Sequence, residues 1–378
     1  MKKTVFIILS ILSLNAMAQI TINEADIPFV PQIYVIVSTN TASGATTPAE
    51  GINQTWDYSN ILMTGTHTGN LVNPQVSTII GATLADTSVA TDFIANTVYL
   101  RDNYMTQDAS SAKILGTVTK KQAYNISSMS GGATDSCKFP AQQQQFNNPV
   151  KIIAYPATMS SKWVSNYIDR VDYTLYIPNY MLNNTPCYRI SHIVIKDTVV
   201  GWGNMSVPTL LGASQPYNVL MVKQTMTAID TFYINNILAP DMLLSVLNLS
   251  QGQHRVDNRY IFWRKNSVIP LMEFRFGANN FTTPVSIYFD GQATVGISEN
   301  STNSNIEIYP NPASDILYIK GINNSIIEIY DMTGKMVYNQ AYTDDNLTIN
   351  LNNFHKGIYI IKIIRENTVT DRVINITR

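Results

Sequence analysis

The strongest constraint on this chain is a period-two alternation of apolar and polar residues that returns along most of its length. Between residues 171 and 177, Val171, Tyr173, Leu175 and Ile177 fall on one face and Asp172, Thr174 and Tyr176 on the other. Successive strand side chains point to opposite faces, so this is the pattern of a half-buried strand rather than a helix. Residues 189–199 repeat it, and residues 217–233 extend it over one long or two shorter strands. Residues 260–265 and 271–276 flank the turn dipeptide Asn266-Ser267, a hairpin pattern. Only residues 240–249 depart, with Leu243, Leu244, Leu247 and Leu249 near helical spacing behind Pro240 and Asp241. Strands without alternating long helices predict an all-β protein, with a large antiparallel β-sandwich or barrel over residues 19–296.

Composition agrees with polar, uncharged sheet faces. Hydrophobic residues make up 45% of the 378 positions and charged ones only 13%, against roughly 25% charged in an average soluble chain. Asn, Thr, Ser and Gln fill the difference. With 25 basic and 26 acidic residues the net charge is -1, which leaves no basic footprint for nucleic acid. The densest basic cluster, Arg255, Arg259, Arg264 and Lys265, is interleaved with Tyr260, Phe262 and Trp263. It fits one face of a sheet that covers another.

The first 18 residues have the three parts of a secretory signal peptide in order. Lys2 and Lys3 are followed by an apolar run over residues 5–14, then by Ala16-Met17-Ala18 as a small-x-small cleavage site. The run is too short to remain as a bilayer-spanning helix, and the mature chain is expected to begin at Gln19. It would meet the inner-membrane secretion machinery first. An oxidising compartment makes Cys137 and Cys187 a candidate disulfide; closing that loop would add ~4 kcal/mol in the chain-entropy model.

Residues 297–305 form a linker, since the run Ser298-Glu299-Asn300-Ser301-Thr302-Asn303-Ser304 has no apolar residue to place in a core. Beyond it, residues 306–309, 316–320, 326–330, 335–340, 347–351, 358–364 and 372–376 are seven short strand patterns. Pro310-Asn311-Pro312, Asn323-Asn324, Asp331-Met332-Thr333-Gly334 and Lys356-Gly357 mark the turns. That spacing predicts a small seven-stranded immunoglobulin-like sandwich over residues 306–378.

This segment resembles the type A sorting domain of the type IX secretion system of Bacteroidota. The residues that carry the resemblance are Tyr309, Pro310, Asn311, Pro312 and Ala313 at the entrance, Asp331, Gly334 and Lys335 at the central turn, and Gly357 and Tyr359 opening the penultimate strand. Where relatives place a lysine before two aliphatic residues near the terminus, this chain has Arg372-Val373-Ile374. The resemblance implies a type IX outer-membrane translocon and its sortase as partners, cleavage near the linker, and a passenger anchored at the outer-membrane surface or released. The central region resembles a group of exported passengers with the same tail. The stretches behind this are 53–58, Tyr155-Pro156-Ala157 with Lys162-Trp163, and 201–203 through Pro208 to 218–220. That likeness supports an expectation of fold only.

No chemistry is legible in residues 19–296. The chain has no G-x-S-x-G, H-E-x-x-H or G-x-x-x-x-G-K-[ST] motif. His67, His192 and His254 are isolated, and His192, sharing a strand face with Ile190 and Val194, fits a core or edge position. Asp169 and Asp172, three apart on a strand, face opposite sides and do not form an acid–base pair. Neither a metal nor a cofactor is expected. The expectation is a non-catalytic module that binds a surface glycan or protein. Trp202, between Gly201 and Gly203, is its best candidate stacking residue. Asp197-Thr198-Val199 has the look of an O-glycosylation acceptor of such bacteria. A secreted hydrolase whose distant carboxylates escape sequence reading is the alternative.

Overall fold

The computed structural model describes residues 19–39, 45–74, 79–94, 97–209, 212–293, 306–331, 335–365 and 368–377. The signal peptide, the linker and Gly334 therefore lie outside the described residues. The chain divides into two compact units, 1–295 and 296–378.

Among the described residues of the first unit sixteen strands share one hydrogen-bonded sheet. Its centre is an antiparallel succession of Lys162–Ile177, Leu182–Ser206, Tyr217–Ile234 and Gln253–Arg264. The alternating stretches at 189–199 and 217–233 are thus each part of one long strand. Met272–Gly277 and Ser286–Asp290 continue the sheet, and Gln32–Thr39 adds to the latter. The early strands follow, ending at Gln142–Ala154. Among the described residues of this sheet one pairing is parallel: Gly51–Asp57 lies beside the far end of Leu182–Ser206. The expected helix is present as the short Asp241–Val246, which buries Leu243 and Leu244 against Phe232 and Ile234.

The backbone ladder does not close into a barrel. Gln142–Ala154 instead meets the open edge of Lys162–Ile177 through side-chain amides. The Asp172 N–H donates to the Gln142 side-chain oxygen at 2.9 Å, and the Gln142 amide donates back to the Asp172 carbonyl at 2.8 Å. Gln144 likewise accepts from the Arg170 N–H at 3.0 Å and donates to the Ile168 carbonyl at 2.9 Å. Asn147 accepts from the Ile168 N–H, and Asn148 donates to the Asn166 carbonyl. A primary amide has the donor and acceptor of a peptide group, so this Gln/Asn run serves as a substitute strand for an edge that would otherwise be open. Gln251 does the same for both backbone groups of Phe232, and Gln122 for those of Leu100.

The second unit is a sandwich of a three-stranded and a four-stranded sheet. Glu307–Tyr309, Ile316–Lys320 and Asn346–Asn350 form one sheet. Met336–Tyr342, Ser325–Asp331, Gly357–Arg365 and Thr368–Ile376 form the other. Alternate residues, among them Leu317, Ile319, Ile327, Ile329, Ile361 and Ile363, make its fully buried core.

Candidate functional site

The inner face of the large sheet alternates apolar and charged layers. Asp169, Ser191, Asp230 and Gln253 stand side by side on four strands. Asp169 pairs with Arg101 at 3.1 Å and Arg189 at 3.7 Å, while Asp230 is held by Arg255 and by the Ser191 hydroxyl. Burial pushes the Asp230 carboxyl up, but Arg255 and Arg189 outweigh it and hold it below its ordinary range. A second rung sets Asp197, Gln224, Arg259 and Arg275 in line, with Glu273 bonded to both arginines. Asp197 receives only the Gln224 amide at 2.8 Å, its other oxygen is buried without a partner, and burial pushes it up to about 7. The ion-paired members of both rungs are structural: buried charge persists when paired and hydrogen-bonded.

Each cation of the basic cluster has a carboxylate. Arg255 pairs with Asp230, Arg259 with Asp257 and Glu273, Arg264 with Asp290, and Lys265 with Asp26. The cluster is divided between the two faces of the strand Gln253–Arg264: Arg255 and Arg259 share the side of Ile261 and Trp263, and Arg264 that of Tyr260 and Phe262. Asp169 points inward and Asp172 sits outside beside Arg170. His192 is exposed on the outer face rather than in the core.

Trp202 does not present its ring. It is 9% exposed and packs with Trp163, Trp263 and Leu220; Trp56 is buried as well. The flanking glycines have another cause. A Cβ on Gly203 would lie 2.0 Å from the Gln54 carbonyl oxygen, and one on Gly201 2.8 Å from that of Gly51. They admit the close backbone approach of Gly51–Asp57, and the stacking assignment to Trp202 is set aside. Asp197-Thr198-Val199 lies within a continuous strand with Asp197 and Val199 buried.

Cys137 and Cys187 are both buried and free, so the expected disulfide is not formed. Cys137 faces Leu175, and Cys187 faces Tyr173, across opposite edges of the same strand. Two strand spacings, about 10 Å, exceed the roughly 4.4–6.8 Å Cα separation of a disulfide. Burial raises both thiols, Cys187 to about 12.

A surface cleft of about 610 Å³ lies where Tyr217–Ile234 begins and Gln253–Arg264 ends. Four amides line it, Gln215, Asn218, Asn266 and Gln292, with Ile20 and Pro216. Tyr217, Arg264 and Lys265 complete the wall. The Arg264 guanidinium stacks on the Tyr217 ring at 4.3 Å and is held from behind by Asp290, and its Nε is buried without a hydrogen-bond partner. An unmet buried donor costs about 1–3 kcal/mol. Among the described lining residues there is no carboxylate or histidine. Sequence reading missed the cleft because its residues come from four separated segments; Arg264 and Lys265 were noticed as charge, Asn266 as a turn residue and Asn218 within the 218–220 stretch.

In the second unit the entrance motif and the last strand are joined. The Asn375 N–H donates to the Asn311 side-chain oxygen at 2.9 Å. Ala313 bridges the same strand: its N–H donates to the Asn375 carbonyl at 2.8 Å, and its carbonyl accepts from the Thr377 N–H at 2.9 Å. The Tyr309-Pro310 and Asn311-Pro312 bonds are cis. Asp331 closes the central turn, accepting the Lys335 N–H at 3.0 Å on its side chain. Tyr359 donates its hydroxyl to the His355 carbonyl and packs edge-on to Phe354. Gly357 has φ +156° with open space around it. Arg372 is half-buried opposite Ile361.

Residues 307–376 match the family described as secretion system C-terminal sorting domain. That segment is a type IX sorting domain, and it marks the chain as a secreted or cell-surface protein. The chain is also similar to an endo-acting ulvan lyase of Formosa agariphila, 31% identical over 78 residues, or 20% of this chain and 15% of the lyase. Among solved structures the chain is similar to PorZ, an essential bacterial surface component of the type-IX secretion system of Porphyromonas gingivalis. It is 10% identical over 74% of this chain and 58% of its own, with a TM-score of 0.20. Dimeric latent PorU of the same organism is 10% identical over 92% of this chain and 34% of its own, with a TM-score of 0.16. At such TM-scores neither likeness assigns a fold or a role.

Proposed function

We propose that residues 306–378 address this protein to the type IX translocon, and that residues 19–296 are a non-catalytic binding module displayed or released outside the cell. In this reading the signal peptide, cut between Ala18 and Gln19, takes the chain into the periplasm, and the sortase acts in the 297–305 linker. The recognised surface is the entrance motif and the last strand, which the Asn311 and Ala313 bonds hold as one unit. The match over residues 307–376 supports the export half of the proposal.

One observation carries the passenger half. The cleft at Tyr217 and Arg264 is lined by amides, a ring and two cations, with no carboxylate or histidine among its described residues. Glycoside hydrolysis uses two carboxyl groups, and general acid–base work elsewhere most often uses histidine. The test is incubation of the mature chain with soluble polysaccharides and denatured proteins, read by new reducing ends and new amino termini. None is expected; turnover at the rate of an ordinary enzyme would replace the binding module with a hydrolase or lyase.

A further inference from the structure

We infer that the cleft between the start of Tyr217–Ile234 and the end of Gln253–Arg264 is a binding site for an uncharged oligosaccharide. The inference rests on the binding-module reading above and names the ligand class.

Size comes first. A cleft of about 610 Å³ falls within the roughly 300–1,000 Å³ of small-molecule sites. Its chemistry is that of a hydroxyl-rich partner. Gln215, Asn218, Asn266 and Gln292 each bring a side-chain amide to the wall. An amide offers donors and an acceptor within one group, and a sugar hydroxyl needs both. Gln215, Asn218, Asn266 and Gln292 are all exposed, so these groups are available to a ligand.

Charge decides between neutral and acidic sugars. The two lining cations are already compensated, Arg264 by Asp290 and Lys265 by Asp26. The cleft thus presents N–H donors without net charge. Arg264 is further fixed by its stack on Tyr217. Tyr217 is half-buried and supplies the one ring of the wall, as a sugar face requires. A peptide ligand fits less well: only Ile20 and Pro216 offer apolar contact, whereas peptide grooves rely on side-chain pockets or a free sheet edge.

The experiment is calorimetric titration of the mature full-length chain with cellotetraose, maltotetraose and mannotetraose, with tetragalacturonate and a glutamate hexapeptide beside them. At least one neutral tetrasaccharide is expected to bind with Kd at or below ~1 mM. Its affinity should change less than about two-fold between roughly 50 and 500 mM NaCl, since no net charge is involved. The exposed-residue variant N218A/Q292A should weaken it about ten-fold or more at unchanged melting temperature. Y217A provides a second variant, with the same expected loss. Overturning results are no neutral probe bound, tighter binding of the acidic sugar or the peptide, or unchanged affinity in both folded variants. Each of these removes the cleft assignment and leaves export untouched. Cleavage of a bound probe would instead overturn the binding-module reading itself.

Discussion

The backbone N–H of Asn375 donates to the side-chain oxygen of Asn311 at 2.9 Å, tying the Pro-Asn-Pro turn to the chain's last strand. The two residues are 64 positions apart, yet they form one surface. Pro310 and Pro312 have no N–H to give and stop the ladder there. Asn311 between them takes the Asn375 N–H on its side-chain oxygen instead.

Replacing Asn311 by Ala should leave the Asn375 N–H without its acceptor and cost about 1 kcal/mol. Hydrogen exchange should quicken at Asn375, while Asn311→Asp, which keeps an acceptor oxygen, restores protection. Equal exchange in wild type and Asn311→Ala would show that the bond does not hold the last strand.

The amide seal along Lys162–Ile177 gives a second expectation. Gln144→Leu removes the partners of the Arg170 N–H and the Ile168 carbonyl. Unmet backbone groups at a covered edge should cost about 1–3 kcal/mol, read as a lower urea midpoint with unchanged slope. A loss under a few tenths of a kcal/mol would mean that water replaces the amide freely.

How far the sequence could be read follows from the physics of each feature. The seven tail strands were legible because each is short, alternating and bounded by Pro, Gly or Asn, and six of the seven are found within two residues at each end. The seventh, expected over 372–376, runs longer as Thr368–Ile376. The long central strands were legible for the same reason. The run Gln142-Gln143-Gln144-Gln145 drew no reading from the sequence, because a side chain acting as a strand leaves no period. Gly201 and Gly203 were misread: a glycine's need for space looks the same whether a ring is displayed or a backbone approaches. The rung of Asp169 and Asp230 and the rung of Asp197 depend on register between distant strands, which one sequence does not encode locally.

The thiols offer a third check. Denaturing, non-reducing labelling should find two free thiols per chain, and native labelling near pH 8 should find almost none, because burial raises both. A chain that yields no thiol until reduced would contradict the strand register that separates Cys137 from Cys187.

Asp197 should make stability depend on pH. Its folded pKa, about 7, lies above the ordinary value of roughly 3.9, so the folded state holds a proton that the unfolded chain releases. The contribution is complete below about pH 4 and declines as pH rises towards 7, then levels. Asp197→Asn should gain on wild type across that window, by at most about 4 kcal/mol as an order of magnitude. Urea melts at pH 4.5, 6 and 8 measure it; a difference that does not change with pH would place Asp197 ionised throughout.

The central claim is that residues 306–378 carry the export address and residues 19–296 do not. Cell fractionation of a chain lacking residues 306–378, in a host with a working type IX system, tests it directly. The account expects a folded passenger with a cooperative melt, held in the periplasm and absent from surface and medium. Truncated protein reaching the cell surface or the medium at wild-type levels would contradict it.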